Sequence, residues 1–437
     1  MTRRSVIVGL GVSGVAAARF LATQGWDIVV YDDDEKKLSE ADTAWERLES
    51  KELPQAIDLL VVSPGVPRTH RLVVAAREKG IDIVGEMELA ARFLAGEQVI
   101  AVTGTNGKST TVTLVHEMLT RDGRKSAVAG NIGEPLISFV GKAYEFLVVE
   151  VSSFQLETLS SLVAAAVAIL NVSPDHLDRY ADYEEYLMTK VHLARLVAPG
   201  GVVAVNGCDG LLCSAVERLG KAITYFSVGG RSDVAFGEQV VSYRGVEVIM
   251  NQTRLRGKHN VENLMAAMIL AHPFMKEPSR MADAAYAFNP LPHRMTPAGK
   301  VGGVEFIDDS KGTNVGAVEK SLVGFPDKSV VLILGGVDKG GSYQPIRAIA
   351  ETKCRGVVLM GAARPIIRQY FDGFSPLEEA DSMTDAVEKA YRLAKGSGFV
   401  LLSPACSSFD MYRNYKERGD DFVRRVADLR EREKQQQ

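Results

Sequence analysis

The chain has 437 residues, 46% of them hydrophobic and 24% charged, a balance that supplies several apolar cores and excludes a disordered chain. Lys and Arg total 51 against 55 Asp and Glu, a net charge of −4, so no global basic field exists to hold a nucleic acid and any anionic substrate must be gripped locally. The four cysteines (Cys208, Cys213, Cys354, Cys406) make no CxxC pair, and the apolar runs near Arg3 and at Leu162 to Leu170 are too short to span a bilayer, so a cytoplasmic protein with no membrane span is expected.

Residues 5–9 are a short β-branched run that feeds a glycine-rich turn and an Ala-rich helical pattern to Gln24. Asp27 to Tyr31 and Asp58 to Ser63 are further strand-like runs, and Glu86 to Ala95 reads as a helix. Near residue 95 the pattern restarts, with a strand over Val99 to Thr103, a second glycine turn, and a helix from about Lys108 to Thr120. Phe146 to Val151, Ala166 to Asn171 and Gly201 to Asn206 read as buried strands, and 223–256 as a small antiparallel patch. Asn289-Pro290-Leu291-Pro292 and Thr296-Pro297-Ala298-Gly299 punctuate the chain near 297. Strands then return at Glu305 to Asp308, Ser329 to Gly335, Gly356 to Met360 and Gly398 to Leu402, and the charged tail after Asp421 reads as a fraying helix. Alternating strands and helices specify α/β architecture with parallel sheets. The expected domains are 1–95, 96–296 and 297–437: Rossmann-like, central P-loop ATPase-like and C-terminal Rossmann-like.

Two glycine-rich loops bear on function. Gly9-Leu10-Gly11-Val12-Ser13-Gly14 fits the dinucleotide fingerprint, with Asp32 at the end of the next strand where an acid would take a ribose. Glycines and a helix N-terminus suit any nucleotide diphosphate, so this motif admits NAD or FAD, another nucleotide, or a plain tight turn. The second loop, Thr103-Gly104-Thr105-Asn106-Gly107-Lys108-Ser109-Thr110, keeps the Gly-Lys-Ser core of a phosphate-binding loop, although Val102 stands where the general pattern has its first glycine. Its backbone N–H groups would cradle the phosphates of ATP, Lys108 would reach the β/γ oxygens, and the hydroxyl of Ser109 or Thr110 would take Mg²⁺. An ATPase joined to a nucleotide-handling domain is an odd dehydrogenase; it suits an ATP-driven ligase whose substrate carries a nucleotide handle.

A third constellation lies between these loops and the second boundary. Glu150 ends the strand in Val148-Val149-Glu150-Val151, where a carboxylate can reach an ATP-bound Mg²⁺. Asn171-Val172-Ser173-Pro174-Asp175-His176-Leu177-Asp178-Arg179 follows another strand and packs two acids and a histidine into four positions. With Gly257-Lys258-His259-Asn260 and Leu291-Pro292-His293-Arg294, these segments run in the order found in the Mur ligase family, the ATP-dependent amino-acid-adding enzymes of peptidoglycan precursor synthesis, which the chain resembles over nearly its whole length. Asp308-Asp309-Ser310-Lys311-Gly312-Thr313-Asn314 and Ser403-Pro404-Ala405-Cys406-Ser407-Ser408-Phe409-Asp410 resemble the D-glutamate-adding branch. Tyr412 stands where relatives often carry Phe, and Gly312 where others carry Ala.

The resemblance implies roles residue by residue. The UDP of UDP-N-acetylmuramoyl-L-alanine would fall to Val12, Ser13, Asp32, Asp33 and Gly65, with Asn131 near substrate and metal, so the first loop binds UDP and NAD is dropped. ATP would be held by Gly104, Thr105, Asn106, Gly107, Lys108, Ser109 and Thr110, with Asn260, Arg294 and Asp309 at adenine and ribose. Two Mg²⁺ ions are expected, one at Ser109 and Glu150, the other at Glu150, His176 and Lys190. An ammonium cannot ligate a cation, so Lys190 would act as its carbamate; by residues alone it is an exposed lysine on a helix. Lys108, Glu150, His176, Lys190 and Lys311 form the expected catalytic set, with D-glutamate met by Thr313, Lys339, Ser408, Phe409 and Tyr415. The implied reaction activates the substrate carboxylate as an acyl phosphate and passes it to the amine of D-glutamate, in a monomer. Rival readings are another amino-acid ligase of the family, a nicotinamide oxidoreductase, and a non-catalytic nucleotide-binding module.

Overall fold

The computed structural model describes residues 2–49, 52–176 and 179–436. They fall into two compact units, Met1–Val172 with Glu184–Phe288, and Ser173–Tyr183 with Asn289–Gln437.

The first unit holds two parallel sheets. In the first, the strands run edge to edge as Glu46–Arg47, Asp27–Tyr31, Arg4–Val8, Leu59–Val62 and Asp82–Gly85. Val6, Ile7, Val29, Val30, Leu60 and Val61 are buried, which is why these segments read as continuous apolar runs rather than alternating ones. Arg4–Val8 pairs with Asp27–Tyr31 on one side and Leu59–Val62 on the other, so the strand order reverses at its C-terminal end and a crevice opens there. The helix Val12–Thr23 leaves that end and packs tightly: a Cβ on Gly14 would collide with the carbonyl of Gly9 and the hydroxyl of Ser63.

The second sheet runs Thr224–Phe226, Val197–Asn206, Ala164–Ile169, Gln98–Thr103, Phe146–Glu150 and Ser126–Gly130, again all parallel. Its order reverses at Gln98–Thr103, placing the second glycine loop at another switch point, ahead of the helix Lys108–Arg121. That helix and Lys258–Ala271 share a core of Val115, Met118, Leu264, Met265 and Met268. Within the expected patch at 223–256, Ala235–Gly237, Val240–Tyr243 and Val246–Ile249 form an antiparallel sheet, while Thr224–Phe226 joins the parallel one.

The second unit carries a sheet ordered Thr296–Val301, Val304–Asp308, Gly398–Leu402, Val330–Gly335, Cys354–Met360 and Leu377–Ala380, parallel except for its first, edge strand. That edge strand starts one residue ahead of the expected division at 297. The tail is helical as the sequence suggests: residues 415–436 form one helix whose Phe422, Val426 and Leu429 are buried against Val301, Val304 and Phe306. Three apolar positions at helical spacing are enough to dock an otherwise charged segment. Among the described residues no helix is long and apolar enough to cross a membrane, and all four cysteines are free.

Candidate active site

The crevice of the first sheet is a cavity of about 410 Å³ lined by Gly9, Gly11, Val12, Ser13, Tyr31, Asp32, Asp33, Lys37, Ser63 and Gly65, among others. Five of the six residues expected at UDP therefore share one wall, and Val12 is 74% exposed above it. Asp32 serves the loop itself. Its Oδ2 accepts from the Leu10 N–H at 2.6 Å and its Oδ1 from the Asp34 N–H at 2.9 Å, which fixes the turn and draws Lys37 to 3.6 Å. Asp33 accepts from the Tyr31 hydroxyl at 2.7 Å, a bond that holds its carboxyl below the usual range. Asn131 lies apart from this cavity, on the phosphate-loop side.

At the second switch point the loop is shaped by Gly107, whose φ of +90° is left-handed and whose missing Cβ leaves room for Asn263 of the helix Lys258–Ala271. Thr105 and Asn106 donate their backbone N–H groups to the carbonyl and side-chain oxygen of Asn171, both at 2.9 Å. Lys108 Nζ donates to the carbonyls of Gly104 at 2.8 Å and Thr105 at 3.0 Å, folding the ammonium over the loop. Ser109 Oγ donates to Glu150 Oε2 at 2.6 Å, and Asn131 Nδ2 to Glu150 Oε1 at 2.6 Å. Ser109, Glu150 and Asn131 are thus brought together as a hydroxyl, a buried carboxylate and an amide. Two of these are the hard oxygen donors that Mg²⁺ takes, so the residues present fit the ion.

Lys190 departs from the residue-level expectation of an exposed lysine. It is buried on the helix Tyr183–Arg195, donates to the Gly104 carbonyl at 3.1 Å, and lies 4.6 Å from the centroid of the Tyr186 ring. The same helix sets the Tyr186 hydroxyl 3.2 Å from Thr105 Oγ1. Asn260 bonds the Arg256 carbonyl and accepts from Asn263. Tyr186 and Asn263 are loop partners outside every motif, whereas Asn171 heads the Asn171 to Arg179 segment without having been given a role.

In the second unit, His176 has a left-handed φ of +56°, and its Nε2 lies 3.7 Å from Asp175 Oδ2. Leu177 and Asp178 of the same segment lie outside the described residues. Asp175 is 3.4 Å from Lys339 Nζ, and Asn314 donates to its other oxygen at 3.5 Å. These three line a cavity of about 230 Å³ with Asp338, Tyr343 and Ala405. Of the five residues expected at D-glutamate, Lys339 lines this cavity. Thr313, Ser408, Phe409 and Tyr415 do not. Ser408 is buried, Phe409 is 74% exposed, and Tyr415 carries the Lys311 ammonium 4.2 Å from its ring centroid. Cys406, 3.1 Å from the Tyr343 hydroxyl, is pushed up to about 11 by burial and stays a thiol at neutral pH.

Asp309 is buried and accepts from Ser403 at 2.7 Å and Ser321 at 2.9 Å. Burial raises its carboxyl to about 6, against the two hydroxyls and the nearby Arg294, which favour the charge. Arg418, in the first turns of the last helix, is fully buried and bonds the carbonyls of Ser310 at 2.9 Å, Cys406 at 3.1 Å and Ser407 at 3.3 Å, tying the loops after two strands together. Burial depresses its guanidinium to about 10.

Residues 3–85 match the profile described as "Mur ligase MurD-like, N-terminal domain", 102–271 that of the "Mur ligase middle domain", and 293–406 that of the "Mur ligase, glutamate ligase domain". The UDP-N-acetylmuramoylalanine–D-glutamate ligase of Desulfosudis oleivorans is 38% identical, covering 98% of this chain and 97% of that protein. The protein of the same name from Caldicellulosiruptor saccharolyticus is 34% identical over 98% of this chain and 99% of its own. Among solved structures, MurF from Acinetobacter baumannii superposes with a TM-score of 0.63 at 16% identity, over 98% of this chain and 93% of that one. UDP-N-acetylmuramate-alanine ligase from Thermotoga maritima gives 0.62 at 17%, over 98% of this chain and 100% of that one. The two structural likenesses share the three-domain α/β fold, and the near full-length sequence identity goes further: the chain belongs to the Mur ligase family.

Proposed function

We infer that the chain is an ATP-dependent ligase that joins D-glutamate to UDP-N-acetylmuramoyl-L-alanine, releasing ADP and phosphate, in peptidoglycan precursor synthesis. One observation carries the reading: a phosphate-type loop whose Ser109 is engaged with the buried Glu150, in a chain similar over nearly its full length to proteins named for that reaction. The separate cavity beside Val12, Ser13, Asp32, Asp33 and Gly65 suits a nucleotide diphosphate, and a ligase has use for both.

The chemistry follows from the bond to be made. A free carboxylate accepts no amine in water, so the carboxylate of the nucleotide-sugar attacks the γ-phosphorus of ATP, ADP departs, and an acyl phosphate results. The amine of D-glutamate then attacks the acyl carbon and phosphate leaves. Lys108 and the loop N–H groups offset the charge spreading over the phosphoryl oxygens. Ser109 and Glu150 would hold Mg²⁺, which when bound would neutralise phosphate charge. A second ion at Glu150, His176 and Lys190 would require the lysine as its carbamate, because an ammonium has no lone pair to give a cation. Asn260, Arg294 and Asp309 serve adenine and ribose, and His176 or a neighbouring carboxylate takes the amine proton. Lys311 and Thr313 attend the reaction from the C-terminal domain, with Lys339, Ser408, Phe409 and Tyr415 at D-glutamate. The enzyme acts as a cytoplasmic monomer.

Two experiments test these assignments. Phosphate release should require UDP-N-acetylmuramoyl-L-alanine and D-glutamate together; release supported equally by L-alanine or a diamino acid would move the chain to another branch. Intact mass of active enzyme in bicarbonate should show one CO₂ added at Lys190, and full activity with the unmodified amine would remove the carbamate.

A further inference from the structure

The loop that closes the first cavity, Ser63 to Pro67, is followed at once by Arg68, whose fork leaves that sheet altogether. Its Nε donates to Glu157 at 3.0 Å and its Nη1 to Glu185 at 3.0 Å, partners 89 and 117 residues away. Both partners belong to the phosphate side of the same compact unit. Glu157, whose side chain is 3% exposed, follows the short helix Ser153–Leu156, which a capping box at Ser152 and Gln155 anchors just beyond Glu150. Glu185 lies in the first turn of the helix Tyr183–Arg195, one residue before Tyr186 and five before Lys190. Those two residues contact Thr105 and Gly104 of the phosphate loop.

We propose that Arg68 is a positioning residue that couples the two nucleotide sites, carrying the state of the UDP-side loop to the segment just beyond Glu150 and to the helix that bears Lys190. The inference rests on the ligase reading of the two cavities. The two carboxylates are met by different nitrogens of a rigid planar fork, which fixes their separation; a lysine would have to draw both to a single nitrogen on a flexible stem. The sheets do not depend on Arg68 for their attachment. Glu86 Oε1 accepts from the Ile137 N–H at 2.7 Å, and Glu88 Oε2 from the N–H groups of Ser160 at 2.7 Å and Ser161 at 2.8 Å. Arg68 itself is 47% exposed, so its pairs add little to stability.

The test measures binding of a non-hydrolysable ATP analogue with Mg²⁺ and of UDP-N-acetylmuramoyl-L-alanine, each alone and each with the other saturating. In the unaltered protein each ligand should tighten the other by about fivefold or more. In Arg68→Gln each ligand alone should bind within about twofold of the original while the mutual effect falls to near one, with Arg68→Lys between and Glu185→Gln reproducing part of the loss. A merely structural arginine would lower the melting temperature and leave the mutual effect intact; that result, or no mutual effect in the unaltered protein, overturns the proposal. Failure of the unaltered protein to bind either ligand overturns the ligase reading first and the coupling with it.

Discussion

Replacing Asp309 by Asn should stabilise the protein at neutral pH. The carboxyl is buried, and Ser403 and Ser321, which both donate to its Oδ2, are donors that an amide oxygen can still accept from. Burial outweighs them and lifts the group from 3.8 to about 6 in the folded chain. A raised carboxyl binds its proton more tightly when folded, so its contribution is most favourable below 3.8 and is lost as pH rises to about 6. The interval of about two pH units, at about 1.4 kcal/mol each, makes the loss about 3 kcal/mol. Asn carries no such charge, so the variant should gain that amount over the native chain above pH 6.5 and nothing below pH 4, while losing ligase activity if Asp309 serves the ATP ribose. Guanidinium unfolding between pH 4 and 8 would measure it, followed by far-UV circular dichroism, because Trp26 and Trp45 both lie in the first unit. A variant equally destabilised at every pH would show that Asp309 is there for its hydrogen bonds and that charge burial costs nothing.

Lys108→Ala should leave circular dichroism and melting unchanged and abolish phosphate release, since it removes the ammonium that Gly104 and Thr105 hold over the loop; near-normal turnover would sink the ATP assignment. Phe422→Ala should cost about 3–5 kcal/mol, because the ring is fully buried against the last sheet, and a cost under about 1 would mean the tail helix is not part of that core. Gly14→Ala should yield little folded protein or no UDP-substrate binding, as its methyl would meet the Gly9 carbonyl; isothermal titration showing normal affinity would contradict the packing described.

Much of this fold is legible in the residues. Val6 to Val8, Leu59 to Val62 and Val330 to Leu334 are apolar runs with glycine turns behind them, and a parallel sheet buried on both faces demands that composition. The strand Ser126–Gly130 escapes notice because Ser, Ala and Gly carry no strand preference, and its place is set by pairing with Phe146–Glu150. Thr296–Val301 contains Pro297 and Gly299, which read as punctuation; an antiparallel edge with a bulge tolerates both. The phosphate loop declares itself through Gly107 and Lys108, since few other chemistries need that combination. Burial of single polar residues does not. Lys190 and Arg418 look like any charged helix residue, and only the tertiary structure shows the first against Gly104 and the second beneath Cys406 and Ser407. Asp32 sits where a ribose ligand is expected, yet its oxygens bind the loop backbone, a distinction that lies in side-chain direction rather than spacing.

The measurement that bears most directly on the whole account is phosphate release from ATP and Mg²⁺ with UDP-N-acetylmuramoyl-L-alanine, with and without D-glutamate. Release that needs both, accompanied by UDP-N-acetylmuramoyl-L-alanyl-D-glutamate in equal amount, is the predicted result. Silence with every amino acid offered, from protein that binds ATP, would contradict it and leave a nucleotide-binding module without a ligase.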